Sequence, residues 1–249
     1  MPIGIIIQAR MESERLPGKM YKKILNKHLL EWVILRSKKS ELIKKIVVAV
    51  PDTKKSSVLS ALAEKNQTSF YEGSLNNVLD RYINAAEKFK IDPVIRITGD
   101  CPLIDPVLID ESAKKYLSFK NKPDYFFIKG YPFGLGDVEI ISLNALKKIS
   151  RTTKSARHRE HMVSFISENP NLFDIKVETA PDNLSRQGLR VCVDEPQDLI
   201  LVKKIIEHFN PREDFSTKEI LQYFDENPEV LDVNRRVKHN YAIPAPKKC

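Results

Sequence analysis

The sequence predicts a single α/β domain, a sheet flanked by helices, and three observations carry that expectation. Strand-like and helix-like segments alternate through the first hundred residues, the pattern of a parallel sheet with helices on its faces. Two of the strand segments, Ile5-Ile6-Ile7 and Ile46-Val47-Val48-Ala49-Val50, are continuous β-branched or apolar runs suited to burial on both faces. Between them and the next strand, Val78, Leu79, Tyr82, Ile83, Ala86 and Phe89 recur at helical spacing. With 249 residues and 42% hydrophobic content, the chain has material for a substantial core.

Taken in order, the opening strand empties into the polar loop Gln8 to Lys19, where Pro17-Gly18 marks a turn. Leu29 to Lys39 reads as a helix with a broad apolar face that includes Trp32. The second strand stops at Pro51-Asp52. Ser56 to Lys65 is a short helix, Phe70-Tyr71 a brief strand, and Pro93 to Ile97 a third strong strand. Pro106 sits where a helix from about Val107 to Phe119 begins. The stretch 124–188 is expected as an irregular insertion. In it Tyr125–Ile128, Val138–Ile141 and Phe173–Thr179 read as strands, Leu143–Ile149 as a short helix, and Ala156–Glu168 as one continuous helix. Leu189–Val193 reads as a last strand, followed by a helix whose core face is Leu199, Val202, Ile205, Ile206 and Phe209. Ser216-Thr217-Lys218-Glu219 is a capping-box pattern opening a helix to about Glu226, and a polar, basic tail through Pro244 and Pro246 is expected to fray or to pack on a partner.

The formal charge of +8 and pI near 9.2 suit an anionic partner. The basic residues are dispersed and Lys outnumbers Arg, which argues against a nucleic-acid stripe. Cys101, Cys192 and Cys249 are odd in number and far apart, neither a disulfide framework nor a zinc pattern, and they suit a reducing cytoplasm. The N-terminus lacks the basic and apolar regions of a secretory leader, and no apolar run approaches the ~20 residues that span a bilayer.

Three stretches carry the chemistry. Arg10, Arg15 and Lys19 are spaced along the loop after the first strand, a place where α/β sheets hold phosphorylated ligands; guanidinium forks and a lysine point charge suit a triphosphate. A solvated basic loop is the plainer reading. In Thr98-Gly99-Asp100-Cys101-Pro102, Asp100 falls at the carboxyl end of a strand, placed to hold magnesium against phosphates or simply to cap a turn. Asp194, in Asp194-Glu195-Pro196-Gln197-Asp198-Leu199, repeats that placement, with a helix N-cap as its alternative. His158 and His161 lie three apart on the expected helix and would share a face with polar neighbours.

Together these motifs resemble the cytidylyltransferases that activate sugars as CMP derivatives, including the CMP-Kdo and CMP-sialic acid synthetases, and above all the spore coat polysaccharide biosynthesis proteins of SpsF type. The resemblance rests on Ala9-Arg10 with Arg15-Leu16-Pro17-Gly18-Lys19, on Gly99-Asp100-Cys101-Pro102-Leu103-Ile104, on Val193-Asp194-Glu195-Pro196-Gln197-Asp198-Leu199, and on Asn76-Asn77-Val78-Leu79-Asp80-Arg81-Tyr82. It spans roughly residues 3–210. It implies a nucleotide-diphosphosugar transferase fold, GT-A and Rossmann-like, with a mixed sheet flanked by helices. It further implies CTP and a sugar acid as substrates, Mg2+ as cofactor and a homodimer meeting through 124–188. In that frame Arg10, Lys19 and Asp100 serve catalysis. Main chain near Ala9 reads cytosine, Arg10, Arg15 and Lys19 hold phosphates, and Arg81 lies near the nucleotide. Asp100 and Asp194 hold the metal. Tyr131, Phe133, Arg157, His158 and His161 face the acceptor.

The chain departs from the family where Glu12 and Glu14 replace the branch's usual Gly and Thr, and where Thr98 replaces the Gln of the Kdo enzymes. Two carboxylates in a phosphate loop oppose the neighbouring cations; they are tolerable if they point to solvent, and otherwise they weaken CTP binding. A dinucleotide-binding G-x-G-x-x-G and a Walker A loop are absent from the sequence. So is the Asp-x-Asp pair through which glycosyltransferases of this fold usually bind metal. A glycosyltransferase or a non-catalytic nucleotide- or RNA-binding protein are the competing classes.

Overall fold

The computed structural model describes residues 1–186 and 188–237. In chain order the elements begin with β1 (Gly4–Gln8), a two-residue hairpin of β2 (Lys23–Ile24) and β3 (Lys27–His28), and α1 (Leu29–Lys38). There follow β4 (Ile46–Pro51), α2 (Ser57–Lys65), β5 (Ser69–Gly73), α3 (Val78–Phe89), β6 (Val94–Thr98) and α4 (Pro106–Ser118). The second half comprises β7 (Tyr125–Lys129), β8 (Glu139–Ile141), α5 (Leu143–Thr152), α6 (Ala156–Glu160), α7 (Met162–Glu168), β9 (Ile175–Thr179), α8 (Pro196–Phe209) and α9 (Thr217–Glu226).

The main sheet has seven strands in the order β5-β4-β1-β6-β8-β7-β9. β1 pairs in parallel with both β4 and β6, and β8 is antiparallel to β6 and to β7. The sheet is therefore mixed. Residues 124–188 extend it: β8 and β7 continue outward from β6, and β9 pairs in parallel with β7.

The strand runs are buried because both faces are covered. Alternation along β1 sends Ile5 and Ile7 into one apolar layer and Ile6 into the other. The first layer is filled from α1, α2, α4, α8 and α9, and the second from α3, α5 and α7. β1 is also where the chain order reverses: β4 and β5 lie to one side and β6 to the other. In open α/β sheets the crevice beyond the carboxyl ends of such strands is the ligand site. Gly99 permits the close approach there, since a Cβ would lie 3.0 Å from the Gln8 carbonyl oxygen and 3.1 Å from the Ala9 side chain.

Three expectations change. The segment Leu189–Val193 makes only an isolated parallel bridge, Phe133 to Arg190, in place of a strand. Its neighbours are loops: Val191 N donates to Phe133 O at 2.8 Å and Val193 N to Asp100 O at 2.8 Å, so no ladder propagates. The expected single helix 156–168 breaks at His161, whose φ and ψ are −114° and 68°. The start of the expected frayed tail packs onto the domain: Val230 is buried, and Asn234 Nδ2 donates to Arg190 O at 3.2 Å and Asp198 Oδ1 at 3.0 Å. Residues 238–249, with Pro244, Pro246 and Cys249, lie outside the described residues.

One buried cation ties the loop after β6 to the C-terminal part. Arg36 of α1 is fully buried and donates to the carbonyls of Ile104 (2.9 Å), Glu213 (2.7 Å) and Phe215 (2.8 Å), with its guanidinium 4.4 Å from the Phe215 ring centroid. Arg36→Met keeps the bulk and strands these acceptors. Each stranded buried acceptor costs roughly 1–3 kcal/mol, so a loss of about 3 kcal/mol or more is expected. Urea unfolding checks this, and a loss below about 1 kcal/mol contradicts the assigned role.

Candidate active site

The carboxyl ends of β1 and β6 open into a cleft of about 770 Å3, a size that suits a nucleotide with part of a second substrate. The loop after β1 forms one wall, with Ala9, Arg10, Glu12, Ser13, Glu14, Arg15 and Lys19 all on the lining. The floor comes from Arg96, Thr98, Gly99 and Asp100 of β6 and its loop and from Phe127, Asp137 and Glu139 toward β7 and β8. Phe133, Glu160, His161, Arg190 and Asp194 also line the cleft, with Gln8 and Met20.

Lys19 is the focal cation. It is 7% exposed, and its ammonium donates to Asp100 Oδ2 at 2.8 Å, Asp194 Oδ1 at 2.7 Å and the Val193 carbonyl at 2.8 Å. Burial works against its charge, but the carboxylates of Asp100 and Asp194 outweigh that and hold its pKa above the ordinary lysine value. Asp194 responds in kind. Burial raises its pKa, the Lys19 ammonium and the Arg190 guanidinium lower it, and the net value falls to about 2. Neither carboxylate caps a helix: the N-caps of α4 and α8 are Asp105 and Glu195.

A second layer aims Asp194. Arg190 Nη2 donates to Asp194 Oδ2 at 2.6 Å and to Asp198 Oδ2 at 3.0 Å. Asp198 is fully buried and accepts from the amides of Asp194 (3.0 Å) and Glu195 (2.9 Å). Gly134, at φ +103°, lets the Phe133 loop lie against this segment, since a Cβ there would stand 2.6 Å from the Cys192 nitrogen. Arg15 reaches across from the first loop to Asp194 (3.1 Å) and Glu195 (3.3 Å), and Arg10 pairs with Glu160 at 2.8 Å.

Of the residues singled out by sequence, Ala9, Arg10, Arg15, Lys19, Asp100, Asp194, Phe133 and His161 meet on this cleft. Arg81 is buried behind the wall on α3, donating to Ser74 O at 3.0 Å. Tyr131 lies off the lining with its ring packed over Gly136, where a Cβ would come within 2.6 Å of it. Arg157 and His158 also lie off the lining. Both turn to Glu168, at 2.6 and 2.9 Å, and the chain break at His161 leaves Glu160 and His161 as the residues of this segment that reach the cleft. Glu14 is exposed and Glu12 is half-buried with one oxygen enclosed, and both line the cleft.

Sequence reasoning missed Arg96, Glu139, Asp137, Arg190 and Asp198. Arg96 and Glu139 form an ion pair across neighbouring strands, and Tyr125 Oη donates to Glu139 at 2.8 Å. Arg96 within the apolar β6 was a legible signal, because a charge in a buried strand needs a partner. Asp137 accepts from the Gly134 amide, and burial, with Glu139 and Asp100 nearby, pushes its pKa up to about 7. Among the described residues no group of three or more His, Cys, Asp or Glu forms a ready metal cage. The pair Asp100 and Asp194 nevertheless fits a hard divalent cation that takes its remaining ligands from phosphate and water. Both carboxylates already converge on one positive atom, the Lys19 ammonium. The lining carries five basic and seven acidic side chains, so a triphosphate needs added positive charge to settle there.

Two predictions follow from these networks. Asp198→Asn keeps the shape of the side chain and removes the charge facing Arg190. Breaking a buried pair of this kind costs about 3–5 kcal/mol, read from denaturant midpoints, and a loss under about 1 kcal/mol contradicts the positioning assigned to it. Asp137 binds its proton more tightly folded than unfolded, so between about pH 4 and pH 7 its contribution to stability falls as pH rises. Asp137→Asn removes that slope. Urea unfolding is expected to show the variant gaining stability relative to the unsubstituted protein at pH 8 compared with pH 5, and equal differences at both pH values contradict the enclosure of this carboxyl.

Comparisons with known proteins agree with this geometry. The cytidylyltransferase family model matches residues 4–229. The chain is 34% identical over 238 residues to an uncharacterized protein of Methanocaldococcus jannaschii, covering 96% of each. It is 31% identical over 233 residues to the spore coat polysaccharide biosynthesis protein SpsF of Bacillus subtilis, covering 92% of this chain and 96% of SpsF. The solved structure of a cytidylyltransferase from Leptospira borgpetersenii superposes with a TM-score of 0.87 at 28% identity, covering 97% of this chain and all of that one. With the mixed sheet, the switch-point cleft and the basic loop in place, the match over nearly the whole chain assigns this protein to the cytidylyltransferase family, as a CTP-dependent nucleotidyltransferase.

Proposed function

We propose that this protein transfers the cytidylyl group of CTP to a hydroxyl of a sugar acid, releasing pyrophosphate, and so supplies a CMP-activated sugar for surface glycan or polysaccharide assembly in the cytoplasm. The observation that carries the reading is the junction of Lys19 with Asp100 and Asp194 at the β1–β6 crevice, rimmed by Arg10 and Arg15. The sugar acid comes from the resemblance to CMP-Kdo and CMP-sialic acid synthetases, and the polysaccharide role from the name of the Bacillus relative. A homodimer meeting through 124–188 belongs to the same reading, and sedimentation equilibrium tests it.

In this mechanism the acceptor oxygen forms a bond to the α-phosphorus, the bond from the α-phosphorus to the bridging oxygen breaks so that pyrophosphate leaves with that oxygen, and the hydroxyl proton passes to solvent. Such transfer needs in-line positioning and charge neutralisation more than covalent help. Asp100 and Asp194 would hold Mg2+, which supplies positive charge to the triphosphate when bound. Lys19 and Arg10 stabilise charge that moves onto pyrophosphate, each first leaving its carboxylate partner. Arg15 steadies the outer phosphates, main chain near Ala9 reads the base, and Arg81 supports that wall from behind. Phe133, in the β7–β8 loop, and His161, at the α6–α7 break, line the cleft and in this reading face the acceptor.

The test is pyrophosphate release with magnesium, each nucleoside triphosphate in turn, and a panel of sugar acids. Release with CTP and one acceptor is expected. Lys19→Ala is expected to lose on the order of 100-fold in kcat with its fold intact by circular dichroism. Asp100→Asn is expected to abolish magnesium-dependent release. Near-normal rates in either variant remove the assigned roles, and steeply salt-dependent nucleic-acid binding without pyrophosphate release favours the non-catalytic alternative.

A further inference from the structure

An attacking hydroxyl must give up its proton, and most carboxylates of the cleft are committed elsewhere. Glu139 is engaged by Arg96 and by the Tyr125 hydroxyl. Glu160 faces Arg10, and Asp100 and Asp194 face Lys19. Glu12 and Glu14 belong to the loop after β1, among the cations assigned to phosphate. Asp137 differs. Among the described residues only the Gly134 amide engages it, through Oδ2, and that bond fixes the carboxyl. The residue is half-buried on the cleft lining, so part of it stays open to a ligand there.

Strand register places this carboxyl. β8 runs antiparallel to β6 with Glu139 opposite Arg96. Two residues further on, the same register sets Asp137 abreast of Thr98, which is two positions before Asp100. Val138 and Ile140 enter the apolar layer of Ile95 and Ile97, so Asp137, like Glu139, belongs to the opposite face with Arg96 and Thr98. Phe127 shares that face, and Phe133 lies in the same loop as Asp137. The loop is also pinned to the Asp100 and Asp194 segments: Asp105 N donates to Leu135 O at 2.9 Å and Val191 N to Phe133 O at 2.8 Å. The charged and titratable groups around Asp137 are Arg96 and Glu139 on the two strands, with Asp100 and Cys101 beyond β6. Burial, Glu139 and Asp100 favour its protonated form, while the Gly134 amide and Arg96 favour the carboxylate. Such a balance suits a group that takes and returns a proton near neutral pH.

We propose that Asp137 is the general base of the transfer: its carboxylate takes the proton of the acceptor hydroxyl as that oxygen bonds to the α-phosphorus, and yields it to solvent once pyrophosphate has left. The inference rests on the reading of the cleft as a CTP site. Protonation also neutralises the carboxyl beside the phosphodiester being formed. The imidazole of His161, on the same lining, is the rival base.

Pyrophosphate release from magnesium CTP with the panel of sugar acids, followed as a function of pH, tests it alongside calorimetry of CTP binding. In the unsubstituted protein kcat is expected to fall on the acid side with a midpoint above about pH 5, beyond the ordinary aspartate range. Asp137→Asn, which can still accept from the Gly134 amide, is expected to lose on the order of 100-fold in kcat and to lose that acid limb. Its affinity for CTP is expected to stay within about 2-fold, because the base acts on the acceptor and contributes little to holding the triphosphate. Asp137→Glu is expected to recover part of the rate and the limb. The inference is overturned, with the CTP site standing, if Asp137→Asn turns over at a near-normal rate. It is equally overturned if that variant is slowed at every pH with the limb kept, or if the limb disappears in His161→Asn instead. If the unsubstituted protein binds no CTP, or releases pyrophosphate with none of the sugar acids, the reading of the cleft fails and the inference with it.

Discussion

The Lys19 ammonium, held between Asp100 and Asp194, is the interaction on which the rest of the site depends. It joins three segments that the chain delivers separately: the loop after β1, the loop after β6 and the lead into α8. A lone buried ammonium would shed its proton, and two nearby carboxylates would repel each other. Together they stabilise one another, with Arg190 supplying further positive charge to Asp194, and fix the mouth of the crevice. Asp198, through Arg190 and two main-chain amides, holds Asp194 to this geometry from within the core.

The sheet explains why these segments can meet. β1 is flanked by parallel strands on both sides, so the loops that leave it and β6 emerge on the same edge. The apolar layers on both faces keep that edge rigid, and Arg36 clamps the loop beyond Asp100 to the segment before α9. Function then sits on loops, but the loops are anchored by buried polar contacts and do not rely on their own packing.

The cleft is more evenly charged than the chain's net charge suggests. Arg10, Arg15, Lys19, Arg96 and Arg190 each already face a carboxylate. The protein-wide excess of positive charge is spread over the surface, and the cleft lining leans acidic. In the proposed reading a triphosphate would have to exchange partners with these pairs, and a divalent cation held by Asp100 and Asp194 would supply positive charge to it.

The sequence by itself determined the strand runs, most helix boundaries, the residue types at the site and the family. These are local: a buried strand needs consecutive apolar residues, and a phosphate loop needs its cations close along the chain. It did not determine how distant charges pair. Lys19 meets Asp100 and Asp194 across 81 and 175 positions, and only the packed sheet sets those distances. The same is true of Arg190 with Asp198, whose motif read as a helix start, and of Arg157 and His158, which a break at His161 and the pull of Glu168 turn off the cleft lining. For Glu12 and Glu14 the sequence could say only that two carboxylates were present. Both line the cleft, and burial decided that Glu14 is exposed there while Glu12 has one oxygen enclosed, because that depends on which neighbours enclose the loop.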